Sequence, residues 1–128
     1  MILDTTVIID ILREDSKTVD KIKEIQKSTA AILTTSITVF ELWQGLEIKD
    51  SKKREKILNV LQSIGLLSFD FNSAKEAGNI YRELRKKGIT IDAEDTMIAG
   101  IAKIHNETLL TRNVKDFRRI ENLKVEGY

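Results

Sequence analysis

The chain has 128 residues, 41% hydrophobic and 32% charged, with 21 Lys+Arg against 20 Asp+Glu for a net charge of +1. This composition suits one α/β-sized core and excludes disorder, while the absence of cysteine excludes disulfides and thiolate zinc sites. The near-balanced charge argues against a uniformly basic nucleic-acid coat, no apolar run nears the roughly 18 residues of a membrane span, and the N-terminus lacks a signal-like basic segment and hydrophobic core, so a cytoplasmic protein is expected.

Residues 1–128 read as one unit without repeats or linkers, built of short apolar runs alternating with amphipathic stretches. The runs "MIL" (1–3), "AIL" (31–33), "LLSF" (66–69) and "TLLT" (108–111) predict four buried strands. Helices are predicted over roughly 5–13 and 16–28, the second with Ile22 and Ile25 at helical spacing. The next spans 36–48, with Val39, Leu42, Trp43 and Leu46 on one face. Another takes 51–64, striped by Ile57, Val60, Leu61 and Ile64. A helix over 73–87 carries Ala77, Ile80, Tyr81 and Leu84, and Gly88 supplies its stop. The last long helix, 92–106, packs through Met97, Ile98, Ile101 and Ala102, with Ala99 and Gly100 suited to close approach to a sheet. Such alternation predicts an α/β fold, a central parallel sheet with helices on both faces. Ligands in these folds bind at the carboxyl ends of the strands.

Four acids lie where that rule matters. Asp4 follows the first run, Glu41 lies in the helix after the second, Asp95 in the helix before "TLLT", and Asp116 just after it. Taken singly, most have an ordinary explanation. Thr38 and Glu41 have capping-box spacing. Asp92 can cap a helix whose first turn holds Asp95, and Asn113 and Asp116 repeat that spacing. Asp4 alone has no capping partner at helix-start spacing, whereas Asp10 reads as a surface acid of the first helix. Taken together, Glu41 and Asp116 project toward the sheet edge that holds Asp4, while Asp95 precedes its strand and needs the fold to bring it there. Converging carboxylates repel, so without a cation at least one holds a proton. Oxygen donors with no His or Cys nearby suit Mg²⁺ or Mn²⁺ rather than zinc.

At these residues the sequence resembles the PIN domain, and within it the VapC-type toxins of toxin–antitoxin pairs. "LDTTVIIDIL" resembles the family's opening strand–turn–helix, "SITVFELWQG" its second block, "DAEDTMIAGIA" the third and "LLTRNVKDF" the fourth. These blocks occur in order and span nearly the whole chain, with Gly100 standing where the family often has alanine. The resemblance implies a single three-layer PIN-like domain over 1–128 that hydrolyses RNA phosphodiester bonds. It places the catalytic acids at Asp4, Glu41, Asp95 and Asp116, with Mg²⁺ (or Mn²⁺) held by Asp4, Asp95 and Asp116. Glu41 then completes the metal site or orients a water, and a second ion is compatible. Thr5, Thr6 and Thr111 are supporting hydroxyls, Arg112 and Asn113 supporting or substrate-contacting groups, and Asp92 a cap or outer ligand. Products ending in 5′-phosphate and 3′-hydroxyl, a cognate antitoxin and a homodimer are further implications.

Other features carry less. His105 ends its helix, where imidazolium favours the dipole. Trp43 suits a core or an interface. The basic runs "KKREK" (52–56) and "RELRKK" (82–87) read as solvated faces, with Arg13, Arg112 and Lys115 the stronger candidates for RNA. A receiver domain would need adjacent acids after the first strand and a lysine after the last. A haloacid-type phosphatase would need an acid at position 6, where Thr6 stands. A PIN fold that only binds RNA or a partner, or one that processes RNA as housekeeping, remains the rival reading.

Overall fold

The computed structural model describes residues 1–128. In chain order the elements are β1 (Ile2–Leu3), α1 (Thr5–Leu12), α2 (Ser16–Gln26), β2 (Leu33–Thr35), α3 (Ser36–Gln44), α4 (Ser51–Gln62), β3 (Gly65–Leu67), α5 (Phe71–Lys86), α6 (Ala93–Ile104), β4 (Leu109–Leu110), α7 (Val114–Phe117) and β5 (Val125–Glu126). The strands form one sheet in the order β3-β2-β1-β4-β5. Every pairing is parallel. β5 is an addition to the four predicted strands, and it pairs with β4 through Leu109↔Val125 and Leu110↔Glu126.

The short central strands divide their residues between two cores, because successive side chains on a strand point to opposite faces. Ile2 and Leu109 pair in register and join Ile80, Leu84, Ile98, Ile101 and Phe117 under α5, α6 and α7. Leu3 and Leu110 also pair, and join Val7, Ile8, Ile25, Leu42 and Ile57 under α1 to α4. This is the predicted three-layer architecture, centred on β1.

Local chemistry sets the boundaries. α5 starts at Phe71, ahead of the predicted 73, because the Asp70 carboxylate accepts from the Ser73 amide at 2.9 Å. It stops before Gly88, whose φ of +70° glycine adopts without a Cβ penalty. α3 ends at Gln44, short of the predicted 48, with Gly45 as its C-cap. Gly100 faces a helix rather than the sheet. A Cβ there would stand 2.7 Å from the Ser73 carbonyl oxygen and 2.9 Å from the Ala77 amide, so its bareness permits the contact between α5 and α6.

Candidate active site

All five strands point the same way, so the residues following them share one edge. Asp4 follows β1 there, Ser36 follows β2, and Thr111 follows β4. α6 leads into β4 and therefore begins at that edge, which brings the acids of its first turn, Glu94 and Asp95, to the site. This is how Asp95 reaches the others although it precedes its strand.

Asp4 is almost fully buried and is the N-cap of α1. Its Oδ1 accepts from the Thr6 hydroxyl at 2.6 Å and the Val7 amide at 3.1 Å, and its Oδ2 accepts from the Thr111 hydroxyl. The carboxylate thus has a capping partner that sequence spacing did not disclose. Burial pushes its pKa up, against the opposing pull of these hydrogen bonds. The Thr111 hydroxyl in turn accepts from the Asn113 amide at 2.9 Å, and Asn113 Nδ2 donates to Asp116 Oδ2 at 3.0 Å. One chain of hydrogen bonds therefore links Asp4 to Asp116.

Glu41 does not close a capping box. The cap of α3 is Thr35, whose hydroxyl accepts from the Thr38 amide at 3.1 Å, and Glu41 accepts instead from the Thr5 hydroxyl at 2.7 Å. Burial raises the Glu41 pKa; the Thr5 bond opposes that, and the charges of Glu94, Asp4 and Asp92 add to it. Asp92 is exposed at the N-cap of α6 and makes no capping bond through its side chain.

Asp95 is the most perturbed acid of the group. Burial, followed by the charges of Glu41, Asp92, Asp4 and Asp116, pushes its pKa up to about 7. The fold therefore holds Asp4, Glu41, Asp95 and Asp116 near enough to act on one another. As they stand, no three of them converge tightly enough to hold a single ion. The donor set nevertheless fits a hard divalent cation: it is all oxygen, its anionic charge is mutually repelling, and Mg²⁺ keeps several waters and needs only one or two direct carboxylates.

Beside Glu41 opens a cleft of about 430 Å³, lined by Ile9, Leu12, Leu42 and Ile57 and by Arg13, Lys52, Lys53 and Lys56. One edge of the acidic site is therefore basic, supplied by α4 and the end of α1. Lys52, Lys53 and Lys56 are exposed, as a solvated face requires, and that face lines the cleft.

Asp10 is buried, contrary to its reading as a surface acid. Its Oδ1 accepts from Arg112 Nη1 at 3.1 Å and its Oδ2 from the Tyr128 hydroxyl at 2.6 Å. No local pattern could disclose this, because the partners lie 102 and 118 residues away. Glu94, one of two acids in the first turn of α6, carries no sequence signal that sets it apart from an ordinary helix-start acid. His105 turns back on its own helix, with Nδ1 2.9 Å from the Ile101 carbonyl oxygen. Trp43 is exposed rather than core, with the Arg54 guanidinium 5.9 Å from its ring centre.

A parallel sheet that gathers acids at its carboxyl edge, with hydroxyls holding them, defines a nuclease-type acidic site on a PIN fold. The PIN domain pattern matches residues 1–123, and the chain belongs to that family. It is 38% identical over 100 residues to ribonuclease VapC3 of Methanocaldococcus jannaschii, covering 78% of this chain and 95% of that one. Ribonuclease VapC1 of Rickettsia felis is 32% identical over 130 residues, covering 98% and 93%. Among solved structures, VapBC2 from Rickettsia felis, bound to a DNA fragment from its promoter, superposes with a TM-score of 0.91 at 27% identity, covering 99% of this chain and 97% of that one. No helix is long and apolar enough to cross a membrane.

Proposed function

We propose that the chain is a divalent-metal-dependent endoribonuclease, the toxin of a toxin–antitoxin pair, with Asp4, Glu41, Asp95 and Asp116 as its catalytic acids. The observation that carries this reading is the gathering of Asp4, Glu41, Asp95 and Asp116 at one sheet edge, where burial and the charges of Glu41, Asp92, Asp4 and Asp116 raise the Asp95 pKa. Likeness to VapC ribonucleases and to a VapBC assembly supports the RNA substrate and the antitoxin partner. Mg²⁺, with Mn²⁺ as substitute, is the ion the oxygen donors favour.

Asp4, Asp95 and Asp116 would hold the ion. When bound, it polarises the scissile phosphate and acidifies a water. The chain's own groups do the rest. Thr6, Val7 and Thr111 fix the direction of Asp4. Asn113 fixes Asp116. Thr5 holds Glu41 at the mouth of the basic cleft, where its carboxylate can orient a water toward the phosphate. Lys52, Lys53, Lys56 and Arg13 suit the RNA backbone approaching along that cleft. Exposed Phe40 and Trp43 on α3 and Phe71 and Tyr81 on α5 offer apolar surface for a homodimer.

The test is cleavage of cellular RNA by purified protein with Mg²⁺ or Mn²⁺, with the ends sequenced. Discrete cuts bearing 5′-phosphates, lost in Asp95→Asn, are expected. No cleavage with either ion would leave a PIN fold that only binds. Cleavage without growth arrest on expression would point to housekeeping RNA processing instead of a toxin.

A further inference from the structure

Arg112 stands immediately after Thr111, whose hydroxyl reaches Asp4, and its own amide donates to Thr6 Oγ1 at 3.1 Å. Its backbone is therefore tied directly to the acidic site. Its side chain is more than half exposed, with a relative exposure of 55%, yet it is anchored at one nitrogen by Asp10, which is 8% exposed. A buried carboxylate requires partners, and Asp10 has two: Arg112 on Oδ1 and the Tyr128 hydroxyl on Oδ2. Burial, then the bond to Asp10, pushes the Tyr128 pKa up to about 12, so its proton stays in place for donation.

The placement of Tyr128 follows from β5. That strand runs parallel to β4 and delivers the following residues to the same edge as Arg112. Lys21 of α2 fastens the strand by pairing with Glu126 at 2.5 Å. The result is a relay across three elements: Tyr128 holds Asp10, Asp10 holds one arm of Arg112, and the remaining N–H donors of that guanidinium face solvent at the rim of an anion-cleaving site. A free arginine has rotamer entropy to lose on binding, and a tethered one has already lost part of it.

Resting on the ribonuclease reading, we infer that Arg112 contacts an RNA phosphate beside the acids and that Asp10 and Tyr128 are positioning residues that pre-orient it. The inference is tested by the binding of a fluorescent 12-nucleotide single-stranded RNA of mixed sequence, followed by anisotropy in EDTA across a range of salt. Arg112→Ala weakens binding roughly tenfold and lowers the slope of log affinity against log salt by about 0.7, the share of one phosphate contact on a single strand. Tyr128→Phe and Asp10→Asn each weaken binding by a smaller factor, and neither adds anything in the Arg112→Ala background. Thermal melting of each variant separates this from lost stability, since a purely structural relay lowers the melting temperature in both backgrounds and leaves the salt slope unchanged. Unaltered affinity and slope in Arg112→Ala, additive losses in the double variants, or no binding by the wild type overturns the inference. Cleavage of the same RNA in Mg²⁺ is scored separately: binding that depends on Arg112 without any cleavage overturns the nuclease reading and leaves this one standing.

Discussion

The Thr5 hydroxyl donates to Glu41 Oε1 across 2.7 Å, joining α1 to α3 through two residues 36 apart in sequence. The same hydroxyl lies 3.1 Å from that of Thr38. A carboxylate in a repelling field thus has its direction set by a neutral donor that adds no counter-charge.

Thr5→Val removes that donor at nearly constant shape. Loss of an orienting bond of this kind typically costs 10–100-fold in metal affinity or activity. The expected outcome is a fall of about that size in RNA cleavage, while Thr5→Ser keeps most of it. Parallel Mg²⁺ titrations of the two variants check this, and equal activity in both would remove the role assigned to the bond.

Asp95→Asn is expected to abolish cleavage yet raise the melting temperature of the metal-free protein at pH 8. The substitution removes a carboxylate that burial and four neighbouring acids all disfavour in its charged form. Calorimetry in EDTA decides the matter: a lower melting temperature than wild type would mean that Asp95 is stabilised rather than stressed where it stands.

The pH dependence of stability follows in sign. Asp95 titrates near 3.8 unfolded and near 7 folded, so between those values the folded state binds the extra proton. The Asp95 contribution to the stability of the metal-free protein therefore falls as pH rises from about 4 through 7, and Asp95→Asn removes that contribution. Cation affinity runs the other way, rising toward pH 7 as the carboxyl gives up its proton. Urea unfolding and Mn²⁺ binding measured at pH 5, 6, 7 and 8 test both signs.

Gly100→Ala is predicted to destabilise by about 1–3 kcal/mol, the usual cost of overpacking, because the new methyl meets backbone rather than a movable side chain. Gly78, which has nothing within 4 Å of a Cβ, is the internal control. Gly78→Ala is expected to match or exceed the wild type, since alanine favours a helix interior by roughly 1 kcal/mol over glycine. Denaturant midpoints of the two variants give the comparison.

Much of the fold was legible because apolar runs and helical stripes are local. The four predicted strands and six long helices occur in the predicted order, displaced by a few residues where caps decide the ends. β5 was missed because Val125 and Glu126 make too short and too polar a run to register. The acids were legible as positions at one sheet edge, but their partners were not. "TTSIT" offers several hydroxyls near one helix start, and only packing selects Thr35 as the cap of α3 and Thr5 as the partner of Glu41. Asp10 failed for a different reason: a charge is read as exposed by default, and its burial depends on Arg112 and Tyr128 arriving from the far end of the chain.

The cap on α1 ties the state of the site to the chain's first helix. Asp4 Oδ1 starts that helix by accepting from the Val7 amide, and under the proposed function the same carboxylate would hold the cation. A cation held by Asp4 would compete with the Val7 amide for the carboxylate and so would weaken the capping bond. The exchange rate of a single amide proton, that of Val7, therefore becomes a gauge of occupancy, readable by hydrogen exchange with no RNA in the tube.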